Sequence, residues 1–278
     1  MNCILPSGLR GVVRKLTGSE INLFTNRDVV KSGDLFDRIL RSCWVETTDS
    51  GPYSFAETGK SSPDWKRVLV ADRTMALIAI RIATYGSSYV FNVQCLNSQS
   101  CGERFEWEID LSSDLDVFDL PESSIDKIRD DDNRFLCSVD GHEIVFKLTD
   151  GAGETLAGRR LAKNRNDIMS VGLASKIVSV DDKELNHVRA EEFVKALGAD
   201  SQLELLQRFE EVDGGVETMI EIECPSCYTK QDKSLPLGEE GFWIPSSRKQ
   251  RKKIRETTRK TQKRKMFQDP NNQGNEED

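Results

Sequence analysis

Apolar positions along the chain change their period several times, and each change marks an element. In "SGDLFDRILRSCWVE" the residues Leu35, Phe36, Ile39, Leu40, Cys43 and Trp44 recur at helical spacing, with Ser32 or Asp34 as candidate caps. A second helix is predicted over 72–85, "DRTMALIAIRIATY", with Gly86 as its stop. It is apolar on most sides, which predicts a buried core helix. After Gly86 the period becomes two. "SYVFNVQC" and "ERFEWEIDL" alternate like the two strands of a hairpin, and residues 134–148 predict another, with Asp140-Gly141 as its turn. Residues 154–212 read as mostly helical, with Asp181 and Glu184 as a capping box, a stripe of Leu185, Val188, Phe193, Val194 and Leu197, and Gly198 as the stop. A further helix follows in "DSQLELLQRFEEV". The alternating run "ETMIEIEC" then leads into a second cysteine segment.

These patterns predict an α+β fold. Its centre is a small antiparallel zinc-ribbon-like β unit with helices, joined to an inserted hairpin and helical region and flanked by extended arms. The expected organisation is an N-terminal arm over 1–31, a core from 32–111 with 216–247, an insertion over 112–215 and a C-terminal tail over 248–278. Pro6, Gly8, Gly11 and Gly18 punctuate the first segment and suggest an arm that lacks the pattern to fold alone. Residues 47–63 read as a polar loop.

The candidate chemistry lies in the cysteines. "CPSC" places Cys224 and Cys227 around a two-residue turn, and "CLNSQSC" places Cys95 and Cys101 at a similar point of the earlier hairpin. Each segment has an alternating strand, a cysteine pair and a returning strand. Two such hairpins facing each other would close a four-thiolate shell, which suits the borderline-soft Zn(II) ion. The second pair has ordinary knuckle spacing, whereas the C-x5-C of the first is wider than the usual two to four residues. A structural zinc in a small peptide is worth roughly 10–16 kcal/mol of apparent binding energy, enough to join hairpins distant in sequence. Four thiolates close the shell, which fits a structural role. Cys43 and Cys137 read as packing residues and Cys3 as inert.

Other chemistry is sparse. The two histidines, His142 and His187, fall in a hairpin turn and on the polar side of a helix. No Ser/His/Asp or Cys/His arrangement is present. "SFAETGKSS" imitates a phosphate loop at Gly59-Lys60-Ser61, but Ser54 replaces the first glycine and Pro63 follows closely. Nothing here predicts an enzyme. No run of about 18 apolar residues predicts a membrane span, and the first residues lack a secretory h-region. Seven cysteines without a regular framework suggest reduced thiols or a metal site.

Composition adds one asymmetry. The 278 residues are 37% hydrophobic and 31% charged, with a net charge of −8. Residues 248–265 hold eleven Lys and Arg, including Arg251, Lys252, Lys253 and Arg259, against one Glu. With four acids at 269–278 the tail is net +6, leaving −14 on residues 1–247. The tail invites either a salt-sensitive contact with nucleic acid or an acidic protein partner. Its basic run has no interleaved aromatic for base stacking, and an acidic body repels a phosphate backbone. A zinc-ribbon nucleic-acid-binding protein working through this tail is the alternative reading. The expectation is instead weak, salt-labile, non-specific nucleic-acid binding at most, carried by the tail.

The opening "LPSGLRGVVRKLTGSE" resembles the start of the baseplate hub-assembly family of T-even-type contractile-tail phages. The resemblance continues through the apolar helix ending at Gly86 and the paired cysteines to "LPLGEEGFWIPSS", with its Phe242-Trp243 pair and Pro245. It covers roughly 1–111 and 216–247. It implies a virion tail protein with a structural or assembly role and no catalysis. Such a protein is assembled in the host cytoplasm beside other baseplate and hub subunits, with the tape-measure protein a further candidate partner, as part of a symmetric hetero-oligomer. On this reading Leu5, Pro6, Arg10, Val12, Arg14, Phe242 and Trp243 are docking residues, with Arg251, Lys252 and Lys253 contributing charge. The arm residues Leu5, Leu9, Val12 and Val13 are expected to stay uncovered in the single chain.

Overall fold

The computed structural model describes residues 1–97, 99–162 and 167–245. In chain order the elements begin with β1 (Asn2–Ile4), β2 (Arg10–Val13), α1 (Gly18–Thr25), α2 (Arg27–Ser32), α3 (Leu35–Cys43), β3 (Trp44–Asp49) and α4 (Val70–Tyr85). There follow β4 (Ser88–Gln94), β5 (Arg104–Asp110), β6 (Val117–Phe118), α5 (Glu122–Arg129), β7 (Phe135–Val139), β8 (His142–Phe146), α6 (Gly151–Leu161) and α7 (Ile168–Lys176). The last are β9 (Ile177–Val180), β10 (Lys183–Glu184), α8 (His187–Ala196), α9 (Ala199–Glu210), β11 (Gly215–Val216), β12 (Met219–Glu223), β13 (Lys230–Ser234) and α10 (Glu240–Trp243). The architecture is therefore mixed α+β, with five small antiparallel sheets among the described residues. No helix of the described residues is long and apolar enough to cross a membrane.

The chain divides into two compact units, Met1–Ile80 with Asp116–Glu217, and Arg81–Leu115 with Thr218 onward. The expected core of 32–111 with 216–247 is thus split: residues 32–80 cluster with the 116–217 region, and only 81–115 join the second cysteine segment.

In the first unit, β1, β2 and β3 form one sheet. Gly11 on β2 lies against the Trp44 ring, where a Cβ would collide with the ring and with the Glu46 carbonyl. The "LPSG" stretch is the connection between β1 and β2, and it is fixed from inside. The Ser7 amide and hydroxyl donate to the Asp72 carboxylate at 2.9 and 2.5 Å, and the Tyr53 hydroxyl donates to it at 2.6 Å. Asp72 is fully buried, and that burial pushes its pKa up against the pull of the three donors. Leu5, Leu9 and Val13 are at most 1% exposed. The expectation of an uncovered arm is corrected: its alternating residues pair as a hairpin, and its apolar side chains have a core to enter. The loop over 47–63 is likewise less polar in effect than in composition, because Tyr53 and Ala56 are buried and Tyr53 reaches Asp72.

Arg73, on the next residue of α4, anchors a second buried cluster. Its Nη1 donates to Asp37 and to the Trp65 carbonyl, both at 2.6 Å, and its Nε to Glu154 at 2.9 Å. Gly151 makes room for this guanidinium: a Cβ there would meet both it and the Trp65 carbonyl. A four-stranded sheet, β10-β9-β8-β7, completes the unit with its helices.

Two local readings in that region have opposite outcomes. Asp140 and Gly141 take left-handed backbone angles, as a two-residue hairpin turn requires. Asp181 and Asp182 do the same, at φ 49° and 61°, and turn β9 into β10. They are therefore not a helix cap. The cap of α8 is Asn186, whose side chain accepts from the Arg189 amide. A true capping box lies instead at Thr17 and Glu20, at the start of α1.

Candidate metal centre

In the second unit, β4 pairs with β5 and β12 with β13, each antiparallel. Strand alternation puts Tyr89, Phe91 and Val93 of β4 on one buried face, and Ile222 of β12 is buried likewise. The strands then carry their cysteines into two similar turns. The Cys95 amide donates to the Glu103 carbonyl at 2.8 Å, and the Cys224 amide to the Thr229 carbonyl at 3.0 Å. The residue after each second cysteine, Gly102 or Tyr228, is left-handed at φ 62° and 58°. The wide C-x5-C spacing is gathered in by the Asn97 carbonyl, which accepts from both the Cys101 and Gly102 amides, at 2.8 and 2.9 Å. The long loop therefore presents its sulfurs as the shorter one does.

All four sulfurs lie within 4.8 Å of one another. Cys95 Sγ is 3.6 Å from Cys227 Sγ, and Cys101 Sγ is 3.8 Å from Cys224 Sγ. A tetrahedral shell with ~2.3 Å metal–sulfur bonds requires sulfurs ~3.8 Å apart. The donor set and spacing fit one ion of that kind. Cys95 and Cys224 are buried, and Cys101 and Cys227 half-buried.

The thiols also perturb one another. Hydrogen bonds from Thr229, whose hydroxyl lies 3.2 Å from the sulfur, draw the Cys227 pKa down to about 6. Cys101 is pushed up to about 12: the Glu103 amide favours its thiolate, but burial and the neighbouring sulfurs outweigh that. Cys95 is raised as well, chiefly by burial. Without a cation, crowded sulfurs resist sharing more than one negative charge, and a bound divalent ion reverses that logic.

The other predicted site residues are dispersed. Leu5 and Pro6 are buried, Arg10 is exposed, and Val12 and Arg14 are intermediate. Arg14 pairs with Glu20 at 2.9 Å. Phe242 and Trp243 have no exposed area. Phe242 packs edge-on against Tyr89 at 4.9 Å, and the Trp243 indole donates to the Leu237 carbonyl at 2.8 Å. These two expected docking residues are thus covered within their own unit, which supplies the pocket. Arg251, Lys252, Lys253 and Arg259 lie outside the described residues. His142 is 2.7 Å from Asp181 across the paired strands β8 and β9, and His187 begins α8 beside Arg160. Neither belongs to the group of close sulfurs.

Sequence reading missed Arg81, which is fully buried beside Phe242. Its Nε donates to the Phe242 carbonyl at 3.0 Å and its Nη1 to the Gly86 carbonyl at 3.1 Å, while the rings of Tyr85, Tyr89 and Phe242 surround its charge. Burial lowers its pKa to about 10. A single arginine at the end of a strongly apolar helix was the available signal.

The fold and the sulfur cluster define a mixed α+β protein with a four-thiolate site able to hold a metal ion. The family described as T4 bacteriophage base plate protein matches residues 34–237, a span that takes in all four cysteines. The chain belongs to that family and is a baseplate protein of the T4 type, located in the virion tail and associated with other baseplate proteins. No curated protein and no solved structure matches it. The N-terminal stretch that carries the family-like opening precedes the matched span.

Proposed function

We propose that the chain is a structural subunit of the contractile-tail baseplate, at the hub or the adjacent wedge, and that it works by docking and not by catalysis. The family match carries this reading, because it spans segments of both compact units. The four-thiolate site fits structural zinc in a ribbon-like pair of hairpins: a closed sulfur shell offers no open position for a substrate. The host cytoplasm is the place of assembly, and the hub subunits and tape-measure protein are the candidate partners.

Burial shifts the expected docking contacts outward. A side chain with no exposed area, such as Phe242, reaches a partner only if its unit opens. Arg10 and Val12 on the N-terminal hairpin remain accessible. Arg10→Glu with Val12→Asp should leave a folded protein that no longer joins a baseplate intermediate. Sedimentation or microscopy of assembly intermediates in a complementation experiment tests this. Infectious contractile tails from that variant would remove the hairpin from the docking surface. Density for the chain at neither hub nor wedge of an intact tail would overturn the structural reading.

A further inference from the structure

The two cysteine hairpins are joined by more than sulfur. Gln231 on β13 is 8% exposed, and its side-chain amide lies between the residues that flank Cys95. Its Oε1 accepts from the Leu96 amide at 2.8 Å, and its Nε2 donates to the Gln94 carbonyl at 3.1 Å. The side chain thus takes the place of a neighbouring strand's peptide group. Two weaker links accompany it: the Asn97 amide reaches the Thr229 hydroxyl at 3.5 Å, and the Ser226 hydroxyl contacts Glu103.

We propose that Gln231 is a positioning residue that preorganises the metal site, holding Cys95 against Cys224 and Cys227 before any ion binds. This rests on the metal reading given above. The residue type is what the geometry demands. Glutamine carries one acceptor and one donor at the right reach. Glutamate lacks the donor, and methionine, of similar length, lacks the donor and offers only a weak sulfur acceptor. Losing either bond takes a part-buried main-chain polar group's partner away. A cluster whose ligands are already gathered spends less binding energy on ordering them.

The test uses the full chain with Co(II) as a spectroscopic probe and Zn(II) measured by chelator competition. The wild type should show the absorption of a tetrahedral thiolate site. Q231M should keep that spectrum and bind Zn(II) ~10–100-fold more weakly, the usual effect of losing an outer-shell contact, with Q231E falling between. C227S should change the spectrum itself, which separates a ligand from a positioning residue. In the metal-free wild type, the Leu96 amide should exchange slowly with solvent. Wild-type affinity in Q231M, or fast exchange at Leu96 in the metal-free wild type, overturns the proposal and leaves the metal reading intact. A wild type that binds neither ion overturns both.

Discussion

In the larger unit, segments distant in sequence meet over an apolar core sealed by the Asp72 and Arg73 clusters; in the smaller unit they meet over sulfur, a glutamine amide and a caged arginine. The buried charges show the contrast most clearly. Asp72 takes its hydrogen bonds from neutral donors, the Ser7 amide and hydroxyl and the Tyr53 hydroxyl. Arg81 is surrounded by carbonyl oxygens and ring faces, and its Nη2 finds no hydrogen-bond partner among the described residues. The difference follows from size. Below ~70–80 residues an apolar core rarely suffices, and small domains add disulfides or a metal. The described part of the smaller unit, 81–115 with 218–245, falls in that range. The lesson is that its polar and sulfur contacts carry the role that apolar layers fill in its neighbour.

The sharpest way to break the comparison is to remove a sulfur. Cys224→Ser should lower bound zinc from about one per chain to none, and backbone amides of 88–94 and 219–223 should lose protection from hydrogen exchange. Protection of α3 in the larger unit should persist. Cys137→Ser, a thiol outside the cluster, should keep the metal. Equal loss of protection in both units would show that they do not differ in what holds them.

The next effect belongs to the larger unit. Asp72→Ala strands the Ser7 and Tyr53 donors in a buried site and should cost ~2–4 kcal/mol in chemical denaturation. A cost near zero would show that the apolar core holds the N-terminal hairpin unaided. Arg81→Met keeps much of the packed volume while removing a desolvated charge, so the expected cost is smaller, ~1–2 kcal/mol. A larger cost for Arg81→Met than for Asp72→Ala would reverse the ranking.

The smallest effect is one of pH. The Arg14 guanidinium, helped by Thr17, lowers the Glu20 pKa from 4.5 to about 2. A depressed carboxyl pKa stabilises the folded state above the unfolded value and loses that contribution as pH falls from 4.5 toward 2. With solvent screening at the half-exposed Arg14, ~1 kcal/mol is expected. Glu20→Gln should flatten the acid limb of the stability curve, and an unchanged limb would count against the pair.

Where a pattern is local, the residues alone were enough. The spacing of Leu35 to Cys43, the stop at Gly86, the alternation of 88–94 and 104–110, and the turn at Asp140-Gly141 all depend on neighbours a few positions away. The cysteine segments were legible for the same reason, since each knuckle is its own hairpin. Local pattern also misled: Asp181 and Glu184 satisfy a capping spacing, but two aspartates can equally take the left-handed angles of a hairpin turn. The box that does form, at Thr17 and Glu20, carries the same spacing.

What the sequence by itself determined is the elements whose pattern is local and the four cysteines that come together. Tertiary structure alone decided which surfaces those elements cover. Leu5 and Phe242 look like unsatisfied anchors until a core is found for each, and burial depends on residues far away in the chain. Ser7 meeting Asp72, and Gln231 standing in for a peptide group beside Cys95, join residues 65 and well over a hundred positions apart. Periodicity records which face of an element is apolar. It holds no record of what that face will meet, because the free energy of burial depends on water removed and not on the identity of the distant segment that removes it.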